Sequence, residues 1–268
     1  MHIFCPSAVR QHTRMKTLIE FYQTLGWTLS LLVMLTFLLA GTVKGMIGLG
    51  LPTVAMGMLG LAIAPAQAAA LLIIPSMVTN AWQLAVGGQL CALIRRLWPM
   101  QLGIFCGTGF GMLWLGIDGG SGVVRALGAA LLLYALSGLF LPALQVAPAR
   151  EPWLGPLCGV LTGVITSATG VFVIPAVPYL QALGLGKHQL VQALGLSFSV
   201  STLALAAGLY GRGSLGGDEL NASLLALLPA MLGMWLGQAL RQRVSAMLFK
   251  RVFFVGMALL GAHLLISG

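Results

Sequence analysis

The chain has 268 residues, of which 59% are hydrophobic and only 7% are charged, and its mean hydropathy is +0.99. Soluble domains carry about 25% charged residues, so this composition excludes a soluble globular protein and predicts an all-α polytopic membrane protein. Fourteen Lys and Arg residues against five acids give a net charge of +9. The basic residues stand at the ends of apolar segments, as in cytoplasmic loops, so no nucleic-acid partner is expected.

The first 26 residues are predicted to form a polar and mildly basic tail, which carries Arg10, Arg14 and Lys16. No small-residue cleavage site follows an apolar run here, so the tail does not have the order of a signal peptide. Two interpretations stay open. Met15 is the true start, or residues 15–22 form a short helix at the membrane surface.

Ten apolar segments follow the tail. They cover residues 27–43, 53–64, 67–86, 99–117, 122–141, 153–168, 171–183, 190–210, 222–240 and 252–266. A helix that crosses a bilayer needs about 20 residues, so segments 53–64 and 171–183 are too short to cross alone. The sequence therefore predicts about eight transmembrane helices and two short broken or re-entrant segments.

The two halves of the chain are predicted to be homologous repeats, 27–145 and 153–268, joined by a polar linker at 146–152. The matches fall at two offsets: Gly41, Gly48 and Gln67 match Gly163, Gly170 and Gln189 at 122 residues, while Gly107, Gly111 and Arg125 match Gly233, Gly237 and Arg251 at 126 residues. The two short segments then occupy corresponding positions. This arrangement points to a transporter with its binding site at the interface of the repeats.

The orientation of the repeats has two solutions. If every apolar segment crosses, each half has five spans, the halves are inverted, and Arg95, Arg96 and the basic cluster at 241–251 share the cytoplasmic side. The basic N-terminus is then outside, which the charge rule disfavours. With four full spans per half, the repeats are parallel and the N-terminus is inside, but the cluster at 241–251 faces out.

A lone lysine marks the first short segment. Lys44 is the only charged residue between Trp27 and Ile94, and the glycine-rich stretch 41–52 around it ends in Pro52. Glycines and a proline interrupt a membrane helix, and a cation at such a break is costly unless it is used. The pattern predicts an anion site formed by Lys44 and by the backbone at Gly45, Gly48, Gly50 and Pro52. The alternative is a lysine that snorkels to a headgroup.

The second break carries hydroxyls instead of a charge. The predicted site residues are Thr166, Ser167, Thr169, Gly170 and Pro175, and their hydroxyls can donate to an oxyanion or coordinate a cation. The alternative for the hydroxyls is bonding to carbonyls of their own helix. Asn80 and Ser197 are further candidates from the neighbouring spans, with interhelical hydrogen bonding as their alternative. Gly103, Gly107, Gly111, Gly233 and Gly237 are predicted to serve close helix packing.

Catalytic and metal-binding patterns are missing from the sequence. The four cysteines and four histidines are dispersed, no nucleophile constellation occurs, and the five acids fall in predicted tails or loops. The chain is therefore not expected to be an enzyme, and no metal or cofactor is expected.

The glycine-rich pattern at 41–52, its echo that ends at Pro175, and the stretch 192–199 resemble the TauE/SafE family of sulfite exporters. The resemblance runs from about residue 28 to residue 266. It implies a multi-pass carrier of the bacterial inner (plasma) membrane that exports sulfite, sulfoacetate or a related small anion.

The expected function is therefore export of sulfite, an organosulfonate or a similar small oxyanion, with the lipid bilayer as environment and a homo-oligomer as a possible assembly. The alternatives are an ion channel or cation carrier, and a membrane-embedded assembly subunit without transport of its own.

Overall fold

A computed structural model describes residues 26–86, 88–117, 120–141, 145–241 and 243–268, and the regular structure of these residues is all helical. Within the described residues, ten α-helices follow one another: α1 (Trp27–Ile47), α2 (Leu51–Leu59), α3 (Pro65–Ala85), α4 (Leu90–Trp114), α5 (Ser121–Phe140), α6 (Glu151–Thr169), α7 (Ala176–Ala182), α8 (Lys187–Gly211), α9 (Gly217–Leu240) and α10 (Ala246–Ser267). One 3₁₀ turn, Pro148–Arg150, precedes α6. The predicted N-terminal tail, except Gly26, lies outside the described residues.

Six of these helices are long and apolar enough to cross a membrane, namely α1, α3, α5, α8, α9 and α10. Many large apolar side chains on the helices are exposed, including Trp27, Phe110, Leu113 and Trp235. Exposed apolar surface of this extent is stable against lipid and not against water. The prediction of an all-helical polytopic membrane protein is confirmed, while the count of eight crossing helices stays a prediction.

The two segments predicted to be too short to cross form the shortest of the described α-helices. Helix α2 has 9 residues and α7 has 7. Helix α4, by contrast, begins nine residues earlier than the apolar pattern predicted, so Arg95 and Arg96 lie inside it and Pro99 is an interior residue. A proline removes one helical hydrogen bond, here the bond to the Arg95 carbonyl. The helix nevertheless continues through Pro99.

Close glycine contacts hold α1 against α9 and α4 against α6. A Cβ added to Gly233 would lie 2.1 Å from the Leu38 carbonyl oxygen, and one added to Gly107 would lie 2.3 Å from the Val160 carbonyl oxygen. The packing role predicted for these glycines is confirmed. The two contacts correspond in the predicted repeats: Gly107 and Gly233 are 126 residues apart, and Leu38 and Val160 are 122 residues apart.

The order of contacts along each pair of helices gives their relative direction. Gly233 and Gly237 meet Leu38 and Thr42 in the same order, so α1 and α9 run parallel. Helices α5 and α10 run in opposite directions, because Val124 lies beside Gly268 at one end while Gly138 lies beside Phe254 at the other.

Helices α3 and α8 also run in opposite directions. The Gln192 side chain, near the start of α8, donates to the Leu84 carbonyl near the end of α3 at 2.7 Å. Further along α8, the hydroxyl of Thr202 lies 3.5 Å from Asn80 Nδ2, which comes one turn earlier in α3. The two helices therefore cross, and the crossing brings the first half of the chain against the second.

One end of the helix bundle is basic. The starts of α4 and α6 meet there in the ion pair of Arg96 with Glu151, whose Nη2 and Oε1 atoms are 2.6 Å apart. The side chains of Gln89 and Gln189 join the starts of α4 and α8. Helix α9 also ends there, because it runs parallel to α1, whose end meets the end of α3. We call this end the basic face; its described cations are Arg95, Arg96, Arg150, Lys187, Arg241, Arg243, Lys250 and Arg251.

Candidate functional site

The first break separates α1 from α2. Helix α1 ends at Ile47, and Gly48 follows with a φ of 76° while its N–H donates to the Lys44 carbonyl at 2.8 Å. Gly50 has a φ of 105°, and α2 begins at Leu51 with Pro52 in its first turn. Positive φ values are readily adopted only by glycine. The glycine string therefore interrupts the helix, as its sequence predicted.

The second break, between α6 and α7, also begins with a glycine that ends a helix. Helix α6 ends at Thr169, and Gly170 follows with a φ of 69° while its N–H donates to the Thr166 carbonyl at 2.8 Å. Residues 171–173 are not helical, and Pro175 is the N-terminal cap of α7. The side chain of Met56 in α2 lies against Gly170, because a Cβ added there would be 2.8 Å from Met56 Cε. The helix that follows the first break thus contacts the second.

Lys44 lies in the last turn of α1 and is only 3% exposed. Its Nζ donates to Thr79 Oγ1 at 2.9 Å and to Asn80 Oδ1. An ammonium has three N–H donors, so one of them is not used by these acceptors. The prediction that Lys44 and Asn80 belong to one site is consistent with this contact.

No carboxylate accompanies the Lys44 ammonium among the described residues. The described acids are Glu151 at the start of α6 and Asp218 and Glu219 in the first turn of α9. Of these, Glu151 forms an ion pair, and its partner is Arg96. The two acceptors of Lys44 are neutral, so they solvate its charge without neutralising it.

The acceptors of Lys44 are fixed by further hydrogen bonds. The Thr79 hydroxyl donates to the Pro75 carbonyl at 2.6 Å. The Asn80 amide donates to the Thr202 hydroxyl at 3.5 Å, and that hydroxyl donates to the Phe198 carbonyl at 2.7 Å. The polar chain from Lys44 through Asn80 to Thr202 therefore joins the two halves of the molecule where α3 and α8 cross.

Helix α3 is itself irregular just before these acceptors. Pro75 has no N–H for the Leu71 carbonyl, and the Ser223 hydroxyl of α9 donates to that carbonyl at 2.8 Å. The same Ser223 oxygen accepts the Ile74 N–H at 3.0 Å. Helix α9 thus replaces the one hydrogen bond that the proline removes, and the second contact with Ser223 further holds this part of α3 in place.

Two buried hydroxyls near the polar chain have no hydrogen-bond partner among the described residues. They belong to Ser76 and Ser201. Ser76 precedes Asn80 by four residues in α3 and so shares its helix face, while Ser201 is the chain neighbour of Thr202. Buried polar groups are normally hydrogen-bonded, so the unpaired hydroxyl of Ser76, on the helix face of Asn80, is a candidate donor to a ligand at Lys44.

The hydroxyls of the second break bond to their own helix. Thr166 donates to the Thr162 carbonyl, Ser167 to Val164 and Thr169 to Ile165, each at 2.7 Å. The alternative that the sequence left open for them, bonding within the helix, is therefore the one observed. Their oxygens keep lone pairs, so they can accept a donor or coordinate a cation in this arrangement but do not donate to an anion. No hydrogen bond among the described residues connects them to Lys44.

Other predicted site residues have structural contacts. Gly45 packs on α9, because a Cβ there would lie 2.2 Å from the Met234 carbonyl oxygen. The Gly48 carbonyl accepts a hydrogen bond from Gln83 at 2.7 Å. The Ser197 hydroxyl accepts one from Gln101 at 3.0 Å, so it joins α8 to α4. A binding role for these residues stays a prediction.

Thr79 and Thr202 are two functional candidates that the sequence reasoning missed. A signal for them exists, because Thr79 and Asn80 lie 122 residues before Ser201 and Thr202, so the repeat offset pairs two polar residues with two others. Polar positions kept in both halves of an apolar repeat are expected at the interface of the halves.

A sequence model of one protein family, sulfite exporter TauE/SafE, matches residues 33–264. The match covers most of the chain, so the chain belongs to this family, which is a family of membrane transporters and not of enzymes. No curated protein and no solved structure matches the chain.

Proposed function

We propose that this member of the TauE/SafE family exports sulfite, an organosulfonate or a similar small oxyanion across the inner membrane, and that Lys44 is the charge that binds it. The observation that carries the proposal is a buried ammonium with two neutral acceptors and no carboxylate. A buried charge is costly unless it is paired, and insertion scales assign about 3 kcal/mol to a lysine at the centre of a membrane helix. A bound anion supplies the missing partner.

The groups around Lys44 are suited to an oxyanion. The unused N–H of the ammonium and the unpaired hydroxyl of Ser76, which shares a helix face with Asn80, are both donors. Three residues separate the end of α1 from the N-terminus of α2, and the positive end of the α2 dipole favours an anion. Sulfite, sulfonates and carboxylates present several acceptor oxygens and no donor that these groups would leave unpaired.

The two halves, 27–145 and 153–268 with the linker 146–152, are inverted repeats in this proposal. The corresponding helices of the two halves are α1 and α6, α3 and α8, α4 and α9, and α5 and α10. Inversion is supported by the corresponding helices α3 and α8, and α5 and α10, which run in opposite directions. Helix α2 also runs opposite to α5, because Gly60 lies beside Leu127 and Gly57 beside Leu131. Each half then has five alternating segments.

The basic face is cytoplasmic in this arrangement. Eight described cations lie at that face, whereas Arg125 and Arg212 lie at the opposite end. Loops rich in lysine and arginine are retained on the cytoplasmic side. The start of α1 at Trp27 is therefore on the outer side of the membrane.

Transport requires a second state, because Lys44 is only 3% exposed. The polar chain from Lys44 to Thr202 joins the two halves at the crossing of α3 and α8. Rocking of one repeat against the other would break this chain and open the site to one side. The alternative function is an ion channel or cation carrier, and it is favoured by the hydroxyl oxygens of Thr166 and Thr169, whose protons are used within α6.

The test is flux of labelled sulfite and sulfoacetate into proteoliposomes that contain the purified full-length protein. We expect saturable flux with the wild type and at least tenfold less with Lys44→Met, which keeps the side-chain length and removes the charge. The matched control is Lys187→Met, which removes an exposed cation from the start of α8 and should leave the flux unchanged. Equal anion flux in Lys44→Met and the wild type would refute the proposal, and saturable flux of a cation alone would favour the alternative.

A further inference from the structure

A second candidate site lies near the basic face, away from Lys44. It is a cavity of about 140 Å³ between α5, α7 and α10. Its lining includes Tyr134 and Ser137 from α5, Gln181 from α7, and Lys250 and Phe254 from α10. None of the residues that contact Lys44 belongs to it, so the cavity and the proposed transport site are separate.

The Tyr134 hydroxyl is the feature of this cavity that packing does not explain. Tyr134 is 1% exposed, and its hydroxyl has no hydrogen-bond partner among the described residues. Its ring is held edge-on by Phe254, with centroids 5.1 Å apart, and by Phe253 at 6.3 Å. Buried tyrosine hydroxyls usually find a partner. A phenylalanine would make the same ring contacts, so the unpaired hydroxyl indicates that a ligand binds there.

Lys250 brings a positive charge to the same cavity. Its Nζ lies 5.6 Å from the centroid of the Phe254 ring, a cation–π distance. Among the described residues no carboxylate forms an ion pair with it. The residues that line the cavity therefore include the exposed Lys250, the buried Tyr134 and Gln181, whose side chains can all donate hydrogen bonds.

We propose that this cavity binds an oxyanion of the phosphate or sulfonate type, with the Lys250 ammonium and the Tyr134 hydroxyl as its donors. Two sources carry this chemistry. One is the phosphate of an anionic lipid, which reaches the membrane end of a basic helix. The other is a soluble anion of the class proposed as cargo. The site itself does not depend on the proposed transport function.

The experiment measures the unfolding temperature of the purified full-length protein in neutral detergent against two probes, phosphatidylglycerol and sulfite. Any probe that binds the folded state raises this temperature, and its concentration dependence gives an apparent Kd. The variants are Tyr134→Phe, which keeps the ring, and Lys250→Gln. The control is Arg251→Gln, the exposed neighbouring cation, which does not line the cavity. The sulfite titrations are repeated with Lys44→Met so that binding at the other site does not contribute.

We expect one of the two probes to bind, with the apparent Kd raised about tenfold or more by Tyr134→Phe and by Lys250→Gln and unchanged by Arg251→Gln. A response to phosphatidylglycerol identifies the lipid as the source, and a response to sulfite that persists in Lys44→Met identifies the soluble anion. If neither probe binds, or if all variants bind as the wild type does, the proposal is wrong. Lost sulfite flux in Lys44→Met with intact binding here would separate the two sites.

Discussion

Asn80 joins the Lys44 ammonium to the second half of the chain. Its Oδ1 accepts from Lys44 and its Nδ2 donates to Thr202. The amide is neutral, so the charge of Lys44 stays available for an anion. A carboxylate in the same position would be of similar shape and would neutralise that charge.

The substitution Asn80→Asp tests this interpretation. We expect loss of anion flux with an unfolding temperature at or above that of the wild type, because the new carboxylate pairs with Lys44 and competes with the substrate. The matched variant Asn80→Ala removes one acceptor and should lower the unfolding temperature. Both quantities are measured on purified protein and proteoliposomes. Wild-type flux in Asn80→Asp would contradict an anion site at Lys44.

Lys44 shows which part of the candidate site could be predicted from the sequence. Its isolation in an apolar stretch predicted a functional charge, because a lone cation inside a membrane is costly and is retained mainly where it serves a function. Two further members of the polar chain are Thr79, which accepts from Lys44, and Thr202, which accepts from Asn80. Both look like ordinary hydroxyls of membrane helices, and in the sequence only the repeat offset of 122 residues sets them apart.

At the scale of the helices, the glycines of α9 and α4 determine how closely their partners approach. A Cβ on Gly233 would collide with the Leu38 carbonyl of α1. Backbone atoms at this interface cannot move aside as the end of a flexible side chain can, so the two helices must separate.

The substitution Gly233→Ala should therefore lower the stability of the folded protein by about 1–3 kcal/mol, the usual cost of overpacking. The control is Gly256→Ala in α10, where no heavy atom outside that helix turn lies within 4 Å of the new Cβ. It should be neutral or slightly stabilising, because alanine favours a helix over glycine. Thermal unfolding in detergent compares the two. A Gly233→Ala protein as stable as Gly256→Ala would mean that α1 and α9 are not packed this closely.

The helices themselves were predictable from apolar length. The early start of α4 was not, because Arg95, Arg96 and Pro99 look like a boundary in the sequence. Inside the folded protein Arg96 is bonded to Glu151 at the start of α6. A tertiary contact thus stabilises a helical turn that local sequence rules would exclude.

At the scale of the whole molecule, the sequence left two orientations of the repeats open. Each of them agrees with the charge rule for one basic region and disagrees with it for another. The order of contacts between α3 and α8 and between α5 and α10 favours inverted halves. This information is tertiary and has no counterpart in the composition of any single segment.

The inverted arrangement predicts which residues face each side of the membrane. In a cysteine-free background, Lys187→Cys at the basic face should be protected in intact cells from a membrane-impermeant thiol reagent. Gly122→Cys, at the start of α5 on the opposite end, should react. Both positions are exposed, and a Cβ at Gly122 meets no neighbour within 4 Å. Labelling of both residues from the same side would contradict the arrangement.

The central claim is that the Lys44 ammonium binds the transported anion. It is tested most directly by equilibrium binding of labelled sulfite to the purified full-length protein in a Lys250→Gln background, which removes the second proposed site. Wild type at position 44 is compared there with Lys44→Met, with Lys187→Met as control. We predict saturable binding to the wild type and to the control, and an affinity at least tenfold lower for Lys44→Met. Equal affinities of the wild type and Lys44→Met would contradict the claim.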